Sequence, residues 1–299
     1  MLTGILMLLG TGLAWAFVGV IVSLTAKARY NMVTVFTMQS LMSLVVSLII
    51  FPDYGGLAAN GNSDLWMLAA VMLAAGLTGS IGILTLQRAM RAGHHGISWS
   101  VGQSALIVPF LAAVIFFDEP APLLRLCGVL AILGSLIILG MARQNEPVKE
   151  TDGAVKSSLC FVLALLALVI FGVQQTLTTV PSHLATMTDT MNLRIPLMYI
   201  GGGVVFVFLW LRKPVRPERR EVVLALIATA IGITSYFLLF LGLDSLAVAR
   251  ATSIGYPVAT GTCIIGFVAY SFLVMREACT PWHIAGMGLG ITGIVFVSL

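Results

Sequence analysis

Ten apolar runs, each roughly 18 to 25 residues long and nearly free of charge, dominate this 299-residue sequence. They fall near 2–25, 32–51, 65–86, 97–117, 123–141, 157–179, 191–211, 221–243, 248–273 and 281–299. About 20 apolar residues in a helix cross a bilayer, so the pattern predicts an all-α integral membrane protein with ten transmembrane helices. Composition excludes a soluble fold: 59% of the residues are hydrophobic and 9% charged, where a soluble domain carries roughly a quarter charged residues. The breaks carry turn chemistry, as in Asp53-Tyr54-Gly55-Gly56 and from Pro214 to Pro217. Ala14-Trp15-Ala16 mimics a signal cleavage site, but no basic region precedes it and the run continues to about Thr25. It is read as a retained first helix.

The basic residues sort by loop. Lys27, Arg29, Arg88, Arg91, Arg143, Lys149, Lys156, Arg212, Lys213, Arg216, Arg219, Arg220 and Arg276 all lie in or beside odd-numbered loops; Arg125, Arg194 and Arg250 do not. The positive-inside rule then predicts a multi-pass protein of the cell (inner or plasma) membrane with both termini extracytoplasmic. The net charge of +4 comes from these loops and does not suggest a nucleic-acid partner. Cys127, Cys160, Cys263 and Cys279 are scattered without metal or disulfide spacing. No metal and no cofactor is expected.

A basic, polar stretch at 143–156 divides a first five-helix half (1–142) from a second (157–299). Glu119 precedes Gly128 by nine residues, and Glu277 precedes Gly286 by nine. Both glutamates follow an apolar run and precede the last helix of their half. Their expected role is at the start of that following helix, where a carboxylate suits the helix dipole. Five helices is an odd number, so the two halves insert with opposite orientation, an inverted repeat of the kind that builds carriers.

The stretch Gly79-Ser80-Ile81-Gly82, then Arg91-Ala92-Gly93-His94-His95-Gly96-Ile97, Val101-Gly102-Gln103 and Phe117-Asp118-Glu119, resembles the EamA-like drug/metabolite transporter superfamily. Within it the sequence is most similar in pattern to the bacterial glucose-uptake and L-rhamnose–proton symport branches. Those branches share an uncharged first helix and a basic first loop, here Lys27 and Arg29. The resemblance implies ten helices in two repeats and alternating-access transport of a small molecule, and it slightly favours sugar-like uptake.

Polar residues in membrane helices usually face the bundle interior or an aqueous path. Trp99, Ser100 and Gln103 share a face of the fourth helix by i+3 and i+4 spacing. Thr252, Tyr256, Thr260 and Cys263 line one face of the ninth, where Pro257 frees a carbonyl. These helices hold matching positions in the two halves, which places the expected substrate site between them. Trp15, Gln39 with Ser43, Gln174 with Gln175, and Tyr236 are further lining candidates, and helix–helix hydrogen bonding explains each equally well. Pro196 with Gly201-Gly202-Gly203 is either a hinge or a close-packing face.

Asp189, Arg194, Asp244 and Arg250 fall near the outer ends of second-half helices. They are read either as interfacial snorkelling and local pairing or as an outer vestibule holding Arg194 and Arg250. Asp244 is the candidate carboxylate should H+ be a coupling ion. Gly288, Gly290 and Gly293 match a dinucleotide-binding spacing but lie inside an apolar run, where packing is the better account. The adjacent His94 and His95 diverge on a helix and predict no metal site. The expected function is a secondary carrier of a small polar or zwitterionic metabolite, with lipid as its other contact. An exporter of amino acids or amphipathic compounds is the alternative, and a flippase of lipid-linked substrates is a weaker one. The catalytic clusters that a membrane enzyme requires are absent from the sequence, so no enzyme is expected.

Overall fold

The computed structural model describes residues 1–27, 30–51, 62–92, 95–144, 156–184, 187, 190–273 and 281–299, and among these it contains helices and no strand. The helices are α1 (Leu2–Lys27), α2 (Met32–Ile50), α3 (Asn62–Ala92), α4 (His95–Gln103), α5 (Ile107–Phe116), α6 (Leu123–Gln144), α7 (Lys156–His183), α8 (Met191–Arg212), α9 (Arg219–Ala247), α10 (Gly255–Leu273) and α11 (Pro281–Ser298). A 3-10 turn, Ser104–Leu106, joins α4 to α5, and another, Thr252–Ile254, leads into α10. Each apolar run of the sequence therefore holds helix. Among the described residues, six stretches are long and apolar enough to cross a membrane: Leu2–Val22, Met32–Ile50, Leu65–Arg91, Leu159–His183, Asn192–Arg212 and Arg219–Ala247. The chain is a multi-pass integral membrane protein, and its outer surface agrees. Phe116, Ile49 and Leu211 are among the many large apolar side chains that stand exposed there, as lipid permits and water does not.

Several helices outrun the apolar runs that announced them. α3, α7 and α9 each extend several residues further at one or both ends, because polar residues end a hydropathy window without ending a helix when they find partners. Helix starts show how. Asn31 caps α2 by accepting from Val33 N (3.0 Å) and Thr34 N (3.4 Å). Its own N–H donates to Glu221 Oε1 at 2.8 Å. Glu221 Oε2 accepts from Glu218 N at 3.0 Å, completing a capping box at the start of α9. One buried carboxylate thus ties the starts of α2 and α9 together.

The break between α4 and α5 has a chemical cause. Pro109 has no N–H to bond the carbonyl of Ala105, and the backbone tightens to 3-10 geometry at 104–106. α5 and α9 both end on a left-handed residue, Asp118 (φ 49°) and Arg250 (φ 50°). The turns meet where Arg250 Nη2 donates to the Asp118 carbonyl at 3.0 Å.

With the helix pairs α4–α5 and turn–α10 taken as single segments, ten helical segments run in chain order. Segment 5 packs on 10, 3 on 6 and 7, 8 on 1 and 2, 2 on 7, 1 on 9, and 6 on 4. Glycines set the closest crossings. A Cβ at Gly76 of α3 would meet the Met198 carbonyl of α8, and one at Gly12 of α1 would meet the Ala259 carbonyl of α10.

Candidate functional site

A cavity of about 190 Å3 lies at mid-depth in the bundle, walled by α1, α2, α3, α4, α7, α8 and α9. Its polar wall comprises Gln39, Ser40, Ser80, Gln103, Gln174, Gln175 and Ser235, and its aromatic wall Trp15, Phe36, Trp99, Phe171, Tyr199, Phe206 and Tyr236. Among the described residues that line it, none is charged.

Part of the polar wall is already committed. Gln39 Nε2 donates to the Ala228 carbonyl (3.3 Å), Ser80 Oγ to the Gly202 carbonyl (3.2 Å) and Ser235 Oγ to the Gly232 carbonyl (2.8 Å). Among the described residues, Gln39 Oε1, Gln175 Oε1 and Trp99 Nε1 are buried and have no hydrogen-bond partner, so the lining residues carry acceptors and a donor in want of one. The rings are braced from behind. Trp15 stacks on Tyr256 (centroids 5.8 Å), Trp99 on Phe267 (5.6 Å), and Tyr236 on Phe240 (6.1 Å). Tyr199 meets Tyr236 edge-on at 5.8 Å. Gly232 makes room for that pair, since a Cβ there would lie 2.6 Å from Tyr199 Oη.

Trp15, Gln39, Trp99, Gln103, Gln175 and Tyr236 line this cavity. Thr252 and Tyr256 do not, and among the described residues no other member of the ninth segment is part of the lining. Of the residues expected between the fourth and ninth helices, the cavity brings in those of the fourth. The fourth contributes Trp99 and Gln103, while the other walls are α1, α2, α3, α7, α8 and α9. Tyr256 and Thr252 are instead engaged in contacts within the bundle. Tyr256 is fully buried behind Trp15 and hydrogen-bonded to Thr178. Thr252 is bound to Glu119 and to His183 Nε2 (2.8 Å). The side chain of Ser100 lies outside the described residues. Ser40, Ser80, Tyr199 and Ser235 escaped the sequence reading, because a serine or tyrosine in an apolar run signals neither its facing nor its neighbours.

The end of the bundle formed by the even-numbered loops is held by charged groups. Arg194 is fully buried. Its Nη1 donates to both Asp244 oxygens (2.9 and 3.1 Å) and to Ser182 Oγ (3.3 Å), and its Nη2 to the Met187 carbonyl (2.7 Å). The guanidinium also lies 5.6 Å from the Phe240 ring centre. Arg194 is thus enclosed by the protein, its Nη1 shared between both oxygens of Asp244 in charge-assisted bonds that replace water. Arg250 is exposed and holds the Asp118 carbonyl. Asp189 lies outside the described residues.

Glu119 stands at a helix start, though not the expected one. Its carboxylate accepts from Thr252 N (2.9 Å), Thr252 Oγ1 and Ser253 N (2.7 Å), so it caps the ninth segment instead of α6. His183, stacked on Phe117 with centroids 3.7 Å apart, brings Nδ1 to 3.8 Å from Glu119 Oε1. Glu277 lies outside the described residues.

No protein-family profile and no curated protein matches the sequence. Solved structures do match the fold. One crystal structure, described only as that of a protein, superposes with a TM-score of 0.68 over 98% of this chain and 95% of its own, at 12% identity. That likeness establishes a shared fold.

Proposed function

We propose that this protein is a secondary carrier that moves a small polar or zwitterionic metabolite by alternating access, with the mid-bundle cavity as its substrate site. The observation that carries the reading is the cavity itself: four glutamine side chains and several braced aromatic rings meet at mid-depth in an apolar bundle, where polar groups mark a transport path. The packing of the segments supports a two-fold repeat. Advancing every segment by five places maps the principal pairs onto one another: 3 with 6 becomes 8 with 1, 3 with 7 becomes 8 with 2, 1 with 9 becomes 6 with 4, and 2 with 7 and 5 with 10 map onto themselves. Such exchange symmetry is expected of two inverted five-helix repeats and of ten spans. Together with the sequence resemblance, it supports membership of the drug/metabolite transporter superfamily; the resemblance slightly favours uptake over export, and the basic odd-numbered loops support both termini outside.

In this reading the structure described is closed at its outer end, where Arg194–Asp244 and Glu119–Thr252 join α7, α8, α9 and the ninth segment. A proton on Asp244 would weaken its hold on Arg194 and loosen this end, which makes Asp244 the coupling carboxylate if protons drive transport. A thermal-shift screen of the purified protein against sugars, amino acids, nucleosides and quaternary amines tests the reading, since a ligand stabilises the state it binds. A true ligand should stabilise the wild type and Tyr256→Phe alike, and Gln103→Ala much less. It should also be accumulated or exchanged by proteoliposomes. A ligand that stabilises Gln103→Ala and Gln174→Ala as well as the wild type would place the site elsewhere.

A further inference from the structure

Resting on the carrier reading and narrowing its substrate class to the polar, non-zwitterionic part, we infer that the cavity selects an uncharged substrate, one with hydrogen-bond donors, acceptors and an apolar face, and that it rejects zwitterions and ions. Three observations converge. First, the described lining contains only amide, hydroxyl, aromatic and aliphatic groups. The sequence leaves little else: no Asp, Glu, Lys or Arg occurs in 1–26, 30–52, 65–87, 96–117, 157–188, 195–211 or 222–243, which hold every lining residue.

Second, the charged groups nearest in sequence are exposed or paired: Arg88, two residues beyond Leu86 of the wall, is exposed, and Arg194 is paired with Asp244. Arg194 lies one helical turn from Met198 of the wall, but its guanidinium is given to Asp244, Ser182 and the Met187 carbonyl.

Third, the usual neutral substitute for a cation is taken. Half-helix N-termini hold the carboxylates of anionic substrates in carriers with broken helices. Here the N-terminus of the ninth segment is filled by Glu119 of the same chain. The start of α5 is no better placed, since Ile107 N donates back into the 3-10 turn at Ser104 and Ala105. A carboxylate or ammonium entering the cavity would therefore lose water and gain no counter-charge. Gln39 Oε1, Gln175 Oε1 and Trp99 Nε1 instead offer neutral partners. Substrate and site together then carry no charge across the membrane.

The test needs no known substrate. Gln103→Cys and Gln174→Cys are made separately after the native cysteines are replaced by serine, with Arg216→Cys, in an exposed loop, as the reference. Each purified protein, in nanodiscs, reacts with three reagents: methyl methanethiosulfonate, its ethylammonium analogue and its ethylsulfonate analogue. Relative to Arg216→Cys, the neutral reagent should modify both cavity positions, with either charged reagent on the order of 100-fold slower or more. Comparable rates for the neutral and either charged reagent at both positions would overturn the inference and leave the carrier reading intact. No reaction with any reagent at either position would remove the aqueous cavity, and with it the carrier reading.

Discussion

Removing the carboxylate of Asp244 should harm this protein far more than removing the arginine it pairs with. Arg194 is fully enclosed, whereas the Asp244 side chain retains 17% of its surface. Asp244→Ala strips the guanidinium of two charge-assisted bonds (2.9 and 3.1 Å) and leaves only Ser182 Oγ and the Met187 carbonyl as acceptors. Breaking a buried pair in this way typically costs about 3–5 kcal/mol, because the remaining charge has no water. At about 2 °C per kcal/mol for a chain of this size, the loss is about 6–10 °C in Tm. Asp244→Asn keeps one acceptor oxygen and should lie between alanine and wild type. Arg194→Met keeps an unbranched apolar stem against Phe240 and leaves behind a carboxylate that water can reach. It should cost under about 2 kcal/mol. The double variant Arg194→Met, Asp244→Leu should be near wild type, as apolar replacements of buried pairs often are. Tryptophan fluorescence during heating, in one lipid composition and at one pH, ranks the five proteins. If Arg194→Met melts as low as Asp244→Ala, the reasoning from unequal burial is wrong.

Other substitutions probe the remaining contacts. Glu119→Gln cannot accept from both Thr252 N and Ser253 N and still match a carboxylate, so it should cost about 1–3 kcal/mol, read as a lower Tm. Gly76→Ala drives a methyl into the Met198 carbonyl and should sharply reduce the yield of folded protein. Gly288→Ala, with nothing within 4 Å of the new methyl, should be neutral or stabilising by up to about 1 kcal/mol. For topology, in intact cells and a cysteine-free background, an impermeant thiol reagent should label Val248→Cys and not Arg216→Cys. Both are exposed, on opposite ends of α9. Labelling of Arg216→Cys alone would reverse the orientation.

Helix positions were legible because a bilayer imposes one length scale on every apolar run. The glutamines were legible too, since an amide in an apolar run must face something polar, and Gln39, Gln103, Gln174 and Gln175 all reach one cavity. What the sequence withheld was partnership. Thr252 and Gln103 look alike as polar residues on helix faces, yet Thr252 is bound by a carboxylate 133 residues away, and Gln103 lines a cavity. The distance between these outcomes is set by crossings such as Gly76 on α8, which no local pattern encodes. The same blindness hid the role of Glu119. Its place before α6 suggested a cap for α6, whereas the left-handed turn at Asp118 redirects it to the ninth segment.

These contacts also constrain how such a carrier would move. For the outer end to open, α7 and the 117–119 turn must part from the ninth segment, and α8 must part from α9. That motion breaks the Arg194 pair, the Glu119 cap and the bond from Arg250 to the Asp118 carbonyl together. The capped backbone N–H groups of Thr252 and Ser253 would then need water or another anion. At the opposite end, the described tie is the Glu221 carboxylate joining the starts of α2 and α9. Glu119 and Glu221 therefore do equivalent work: each is a buried carboxylate that holds helix starts closed through backbone N–H groups. The structure described holds both ties at once, so in an alternating-access cycle weakening Glu119 should shift the population towards a form open at that end. An Asp118→Cys thiol in the Glu119→Gln background should then react faster with an external reagent than the same thiol beside Glu119. An unchanged rate would show that this end is held shut by apolar packing around Met187, Ile195 and Phe240 instead.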